Sequence, residues 1–167
     1  MILKLKQKIF TLFRQKYEIK DTEENLAFYI KPLFTFFPKF EIHDKEDNLV
    51  YIVKQKPFRI FKKYEILNAN KQLLFAVKQK FSPFVPKAKI TNAIKDKKLF
   101  ISGNILAHEF EVCENDEVKA RVSKKYLSLT DNYTLEIFDE ENAGLYVAMA
   151  MIYDAIYFQR KRTRLFR

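Results

Sequence analysis

Lysines at repeated positions are the residues in this sequence that are best suited to bind a ligand. Lys54 and Lys56 end one predicted strand, and Lys78 and Lys80 take the corresponding positions one repeat later. In an alternating strand such lysines project away from the apolar side chains and therefore outward. If these strand ends lie on one side of the fold, they form a basic surface for phosphate head groups, since each lysine near an anionic leaflet contributes about 1 kcal/mol.

The C-terminal segment carries a second group of cations. Arg160, Lys161 and Arg162 are followed by Leu165 and Phe166, so the segment joins positive charge to two apolar residues that are able to touch lipid. Both groups have a simpler alternative. The lysines keep the outer faces of strands soluble and unpaired, and the C-terminal segment is a frayed, solvated terminus.

No other group of residues has the spacing of a catalytic or metal site. Cys113 and His108 lie on one predicted strand and face opposite sides, so they cannot form a nucleophile–base dyad there. Together with His43 they are too few for an internal zinc site. The acidic runs 44–47 and 139–141 lack the spacing and the glycine of an EF-hand. We therefore predict no catalytic residues, no metal and no cofactor, and a protein that is not an enzyme.

Composition and charge limit the class of protein. The 167 residues suffice for one domain with a sizeable core, and an apolar content of 48% excludes a disordered chain. The formal net charge of +10 favours anionic partners: nucleic acid, an acidic membrane surface or acidic proteins. The single cysteine cannot make an internal disulfide, and the alternating first residues lack the apolar core of a secretory signal. These features predict a cytoplasmic protein, a monomer by default.

A repeat of about 24 residues organises the first half of the chain. Its copies begin with Phe and include Lys-Tyr-Glu-Ile or Lys-Phe-Glu-Ile, at 10–19, 34–42 and 58–66, and a degenerate copy lies at 84–90. Each copy holds two alternating segments joined by a turn rich in Asp and Asn, which tolerate positive φ. Short turns between alternating segments predict antiparallel hairpins arranged as a meander.

The alternation predicts twelve strands between residues 2 and 138, followed by one apolar helix. The strands are expected near 2–8, 15–20, 26–31, 38–43, 49–56, 62–67, 73–80, 86–92, 97–103, 107–113, 117–124 and 132–138. The segment at about 143–158 is apolar almost all round, contains an Asp and is too short to span a membrane. A basic tail, 159–167, completes a single domain over 1–167.

A helix that is apolar on every face must be buried. Twelve antiparallel strands close into a barrel with a radius of roughly 12 Å, which wall side chains do not fill but a helix does. The sequence therefore predicts a mainly β fold, a closed antiparallel barrel around a central hydrophobic C-terminal helix. The alternative is a two-sheet sandwich with the helix packed outside, which would require a polar helix face.

Asp154 lies within this predicted helix. A carboxylate inside a barrel must be paired, hydrogen-bonded or protonated. The structural interpretation is a satisfied buried polar group that sets the position of the helix along its axis. The functional interpretation is a buried acid that serves a ligand cavity.

The order of elements and several motifs resemble the LURP-one-related family, a branch of the Tubby C-terminal-like fold. The motifs that carry the resemblance are Lys-Gln-Lys at 6–8, Ile-Ser-Gly-Asn at 101–104, His-Glu-Phe-Glu-Val at 108–112, Val-Ser-Lys-Lys at 122–125, Tyr-Thr-Leu-Glu-Ile at 133–137, and the closing apolar segment 148–156. The resemblance, which fits a bacterial-type single-domain member, implies a twelve-stranded barrel around a central hydrophobic helix.

For function the resemblance implies less. Tubby domains bind phosphoinositides and the related scramblases act on phospholipids, but no Tubby binding residue maps onto a motif here. The leading hypothesis is reversible binding of anionic phospholipid or a phosphorylated ligand by surface lysines, peripherally on the inner membrane surface. The alternatives are a scaffold for an acidic protein or nucleic acid, and a scramblase-like or lipid-handling protein that uses the barrel interior. Nucleic acid is less favoured, because the aromatic residues mostly alternate inward and stacking requires them outside.

Overall fold

The protein is described by a computed structural model. It covers residues 1–6, 16–57, 60–80, 87–94, 98–104, 109–124 and 132–164. In this part of the chain the strands form one antiparallel sheet in the order β8-β7-β6-β5-β4-β3-β2-β1-β12-β11-β10-β9. The twelve strands are β1 Ile2–Lys6, β2 Tyr17–Asp21, β3 Leu26–Leu33, β4 Lys39–Asp44, β5 Leu49–Gln55, β6 Lys63–Asn68, β7 Leu73–Lys80, β8 Lys87–Asn92, β9 Leu99–Asn104, β10 Glu109–Glu114, β11 Glu117–Lys124 and β12 Asn132–Ile137.

The sheet curls into a nearly closed barrel. β1 pairs with β12, with Leu3 opposite Leu135, and this pairing joins the first strand of the meander to the last. The two ends of the sheet order are β8 and β9, and they also meet. The side-chain Oδ1 of Asn92 on β8 accepts a hydrogen bond of 3.3 Å from the backbone N–H of Leu99 on β9. The predicted barrel is therefore confirmed.

Aspartates at strand ends build the hairpin turns. The Oδ1 atom of Asp21 accepts hydrogen bonds from the backbone N–H groups of Glu23 at 2.8 Å and Asn25 at 2.9 Å. Asp44 repeats this arrangement in the next hairpin. Glu24, in the first of these turns, has a φ of 67°. Such side-chain bonds fix a tight turn locally, which is why these acidic runs predicted hairpins.

Helix α1, Ala143–Arg164, occupies the barrel interior. Every residue from Ala143 to Tyr153 is buried, and because successive residues of an α-helix point about 100° apart, the helix is covered on every face. The covering residues come from both halves of the sheet. A Cβ atom on Gly144 would lie 3.1 Å from the Tyr51 ring of β5, while the Phe110 ring of β10 lies 5.3 Å from that of Tyr153.

The central helix is thus confirmed, and the sandwich alternative, which needs one exposed helix face, is excluded. Helix α1 follows a short 3-10 helix, Glu140–Asn142. It continues to Arg164, so it includes part of the segment predicted as a basic tail.

The alternation of strand direction gives the barrel two chemically different ends. One end, here called the acidic end, is formed by the turns 21–25, 44–48, 68–72 and 114–117 and by the start of helix α1. The other, here called the basic end, is formed by the connection 34–38, by residues 56–57 and 60–62 between β5 and β6, and by the ends of β7 and β11. Among the described residues, the carboxylates at the acidic end are Asp21, Glu23, Glu24, Asp44, Glu46, Asp47, Glu114, Asp116, Glu117, Asp139, Glu140 and Glu141.

Candidate functional site

A row of lysines crosses the outer face of the barrel near its basic end. Lys63 on β6 is opposite Lys78 on β7, and Lys78 is opposite Lys89 on β8. The backbone N–H of Lys56 donates to the carbonyl oxygen of Lys63 at 2.8 Å, which adds Lys56 to the row. Val77, next to Lys78, is fully buried, so the lysines project outward. Like charges directly opposite each other destabilise a sheet, so this row favours a partner of opposite charge.

One carboxylate lies within this group of lysines. The Glu65 side chain is only 8% exposed, and its oxygens lie 3.5 Å from Nζ of Lys54 and 3.2 Å from Nζ of Lys56. Nζ of Lys63 lies 3.5 Å from the other carboxylate oxygen, Oε1. Burial raises the pKa of Glu65, but the hydrogen bond from Lys56 and the charges of Lys54 and Lys63 outweigh it, so the pKa lies below its ordinary value. Glu65 therefore stays ionised, and one negative charge is shared by three lysines.

A groove of about 300 Å³ continues from the lysine row along the outside of β6, β7 and β8. Lys63 and Lys78 stand on its walls, Ala76 contributes apolar surface, and Thr91 and Asn92 add a hydroxyl and an amide. The lining thus joins two lysines, of which Lys63 also pairs with Glu65, to neutral hydrogen-bond donors, a combination that suits a phosphate or phosphodiester.

The structure brings together the four lysines predicted as ligand-binding residues. Lys54 and Lys56 contact Glu65, Lys78 lines the groove, and Lys80 is exposed two residues further toward the basic end. We define the basic face as the outward lysines on β5 to β8 and directly after β5 whose side chains the structure describes. Its members are Lys54, Lys56, Lys63, Lys78, Lys80 and Lys89.

Sequence reasoning missed Lys63, Lys89 and the shared carboxylate. A signal for Lys63 was present, because it is the Lys of the third Lys-Tyr-Glu-Ile motif and Glu65 is the Glu of the same motif. Alternation puts both on the face opposite the buried Tyr64 and Ile66. Lys89 had no such signal, because its position depends on the pairing of β8 with β7.

Apolar side chains are exposed at the basic end. Phe34 is 84% and Phe36 is 94% exposed in the connection between β3 and β4, and Ile60 is 97% exposed in the connection between β5 and β6. We call these three residues the apolar tips. The expected inward alternation of the aromatic residues holds for Phe28, Phe40 and Phe75 and not for Phe34 and Phe36.

Several other residues that the sequence analysis singled out have side chains that the structure does not describe. The side chains of Asp154, Arg160, Lys161 and Arg162 lie outside the described residues, although their backbone belongs to helix α1. His108 also lies outside them.

Cys113 is a buried free thiol whose Sγ lies 3.8 Å from Oγ of Ser102. His43 is buried, with Nε2 at 3.1 Å from Oε2 of Glu41 and Nδ1 at 3.0 Å from the carbonyl oxygen of Asp47. These contacts make His43 part of the acidic turn that follows β4. In the residues that the structure describes, no helix has the length and hydropathy needed to cross a bilayer.

Comparison with known proteins agrees with this architecture. A crystal structure of an Arabidopsis thaliana protein superposes with a TM-score of 0.65 over 93% of this chain and 90% of that chain, at 18% sequence identity. That likeness defines the class of fold, a barrel built around a helix. The LURP-one-related family model matches residues 1–154, so the chain belongs to the LURP-one-related family.

Part of the chain is also similar to a bacterial protein. A Bacillus subtilis (strain 168) protein, described as uncharacterized protein YxjI, is 32% identical over 66 residues. The match covers 40% of this chain and 41% of that relative.

Proposed function

We propose that this protein binds anionic phospholipid reversibly through the basic face. The observation that carries the proposal is the excess of cations there: the six lysines of the basic face are accompanied by one carboxylate among the described residues of β5 to β8, Glu65, which pairs with three of them. A surface of this kind lowers its electrostatic free energy when phosphate groups approach. Near an anionic leaflet each lysine contributes about 1 kcal/mol, so several together support binding that salt weakens.

The groove beside Lys63 and Lys78 is the proposed place for a phosphorylated head group. A head group there receives charge from the two ammonium groups and hydrogen bonds from Thr91 and Asn92. The proposal extends to phosphoinositides, whose extra phosphates gain most from adjacent lysines. It also includes a peripheral, cytoplasmic position on the inner membrane surface, with Arg160, Lys161 and Arg162 as additional contacts for anionic lipid.

The test is sedimentation with liposomes of graded anionic content, with and without phosphoinositide, over a salt series. We expect binding that rises with anionic lipid and weakens with salt. Absence of sedimentation at low salt would contradict the proposal. The same protein would then be tested for capture of an acidic protein or of single-stranded nucleic acid.

A matched pair of charge-reversal variants tests whether liposome binding depends on the basic face. The first double variant, Lys78→Glu with Lys80→Glu, alters the basic face and leaves the contacts of Glu65 in place. The control variant, Lys45→Glu with Lys98→Glu, makes the same charge change at the acidic end, where both lysines are exposed. Removal of two lysines of about 1 kcal/mol each predicts a fall in liposome affinity of at least about 30-fold for the first variant. An equal fall for the second would mean that net charge alone governs binding.

A further inference from the structure

The apolar tips lie at the same end of the barrel as the basic face. The connection 34–38 leads into Lys39 on β4, and the described residues 60–62 lead into Lys63 on β6. Antiparallel strand order puts both connections at the end opposite the acidic turns. Large apolar side chains that are more than four-fifths exposed therefore lie at the end of the barrel toward which the lysine row is displaced.

Charge selects the partner that these apolar tips fit. An apolar surface alone fits a protein or a membrane, but the lysines behind the tips need a partner that offers an apolar layer next to an anionic one. A bilayer with anionic lipid has that order, with acyl chains inside and phosphates outside. From this arrangement we infer that the barrel docks end-on, with Phe34, Phe36 and Ile60 inserted at the boundary between head groups and acyl chains. The inference rests on the proposed function.

The dimensions agree with this orientation. The head-group layer on each side of a bilayer is roughly 5–8 Å thick. Lys56 and Lys63 are within one or two residues of the strand ends, and a strand rises about 3.3 Å per residue. When the apolar tips reach the acyl chains, the lysine row lies at the depth of the phosphates. The acidic turns then face away from the anionic surface, which would repel them.

Tryptophan probes test the insertion directly, because the chain contains no Trp and an introduced one is the sole indole. Phe36→Trp and Ile60→Trp report on the apolar tips. Phe138→Trp is the matched control, since Phe138 is a 52% exposed aromatic residue at the acidic end. Each variant is mixed with phosphatidylcholine–phosphatidylglycerol vesicles with and without brominated acyl chains, and sedimentation is measured in the same samples.

We expect blue-shifted emission and bromine quenching for the first two variants and neither for Phe138→Trp. If the variants sediment with vesicles but the indoles of Phe36→Trp and Ile60→Trp remain unquenched, the insertion is wrong and the lipid-binding proposal stands. If the indole of Phe138→Trp alone is quenched, the orientation is reversed. If nothing sediments, the proposed function itself fails.

A second pair of substitutions measures the contribution of the apolar tips to affinity. Phe36→Ser with Ile60→Ser removes exposed side chains, so the thermal midpoint should not change. We expect at least a tenfold loss of affinity for anionic vesicles, with the salt dependence retained because the lysines are intact. Unchanged affinity would contradict insertion.

Discussion

The two ends of the barrel carry charge for different purposes. At the acidic end the carboxylates have local partners: Asp21 and Asp44 accept backbone hydrogen bonds within their own turns, and Glu24 pairs with Lys4 at 2.7 Å. At the basic face, Lys54, Lys56 and Lys63 share the single carboxylate of Glu65. Charge at the acidic end is used to build turns, whereas the lysines of the basic face outnumber their one described carboxylate, and we propose that the excess charge serves a partner.

Asp139 provides the strongest test of the structural role of the acidic end. Its Oδ2 atom accepts hydrogen bonds from Oη of the buried Tyr146 at 2.8 Å and from Nδ2 of Asn142 at 2.9 Å. Asp139→Ala leaves the tyrosine hydroxyl without this acceptor at the start of helix α1. We expect a loss of about 2–3 kcal/mol in the free energy of unfolding, measured with urea, and unchanged vesicle binding. If the variant is stable but binds lipid more weakly, the structural role given to the acidic end is contradicted.

Glu65→Gln should have opposite effects on stability and on binding. Its lysines lose their common counter-charge, so the free energy of unfolding should fall by about 1–2 kcal/mol. The same change raises the positive charge of the basic face, so affinity for anionic vesicles should rise about threefold to fivefold. Glu46→Gln, at an exposed carboxylate of the acidic end, is the control and should leave both quantities nearly unchanged. Weaker lipid binding by Glu65→Gln would contradict the role given to the lysines.

Asp44→Ala should have a smaller effect, confined to stability. Its Oδ1 atom accepts from the backbone N–H groups of Glu46 at 3.0 Å and Asn48 at 2.8 Å, on an exposed turn. We expect a loss of about 0.5–1 kcal/mol, read from the urea midpoint. Asp44→Asn, which keeps an oxygen acceptor at this position, should recover most of it. If Ala and Asn behave alike, the side-chain bonds do not stabilise the turn.

Acid should weaken the fold gradually. Burial raises the pKa values of Glu65 and Asp139. Hydrogen bonds to both carboxylates, and the lysines near Glu65, have a larger effect in the opposite direction. The pKa of Glu65 therefore lies below its ordinary value of 4.5, and the pKa of Asp139 lies below its ordinary value of 3.8. Their stabilising contribution is therefore fully present above about pH 4.5 and is lost as the pH falls through the lower pKa values of the folded state. Urea midpoints measured from pH 6 downward should fall with pH, and less steeply for Glu65→Gln. If the urea midpoint depends equally on pH in the unmodified protein and in Glu65→Gln, the pairing of Glu65 with the lysines is contradicted.

Much of the fold could be predicted from the sequence because its determinants are local. Asp and Asn at the ends of alternating segments specify hairpins, and a helix without a polar face has to be enclosed. The lysine row is different, because it depends on register across four strands, including the irregularity between Ile66 and Leu67 on β6. Alternation could not reveal that Phe34 and Phe36 are exposed, because they precede β4 in a connection where period two does not apply.

The central claim is that the two ends of the barrel differ in their relation to an anionic membrane. Paramagnetic broadening of backbone amide signals by bilayer discs that contain phosphatidylglycerol and a head-group spin label tests it most directly. We expect broadening of amides in 34–37 and 60–63, with those in 21–25 and 44–48 unaffected. Broadening that is uniform over the barrel, or stronger at the acidic turns, would contradict the account.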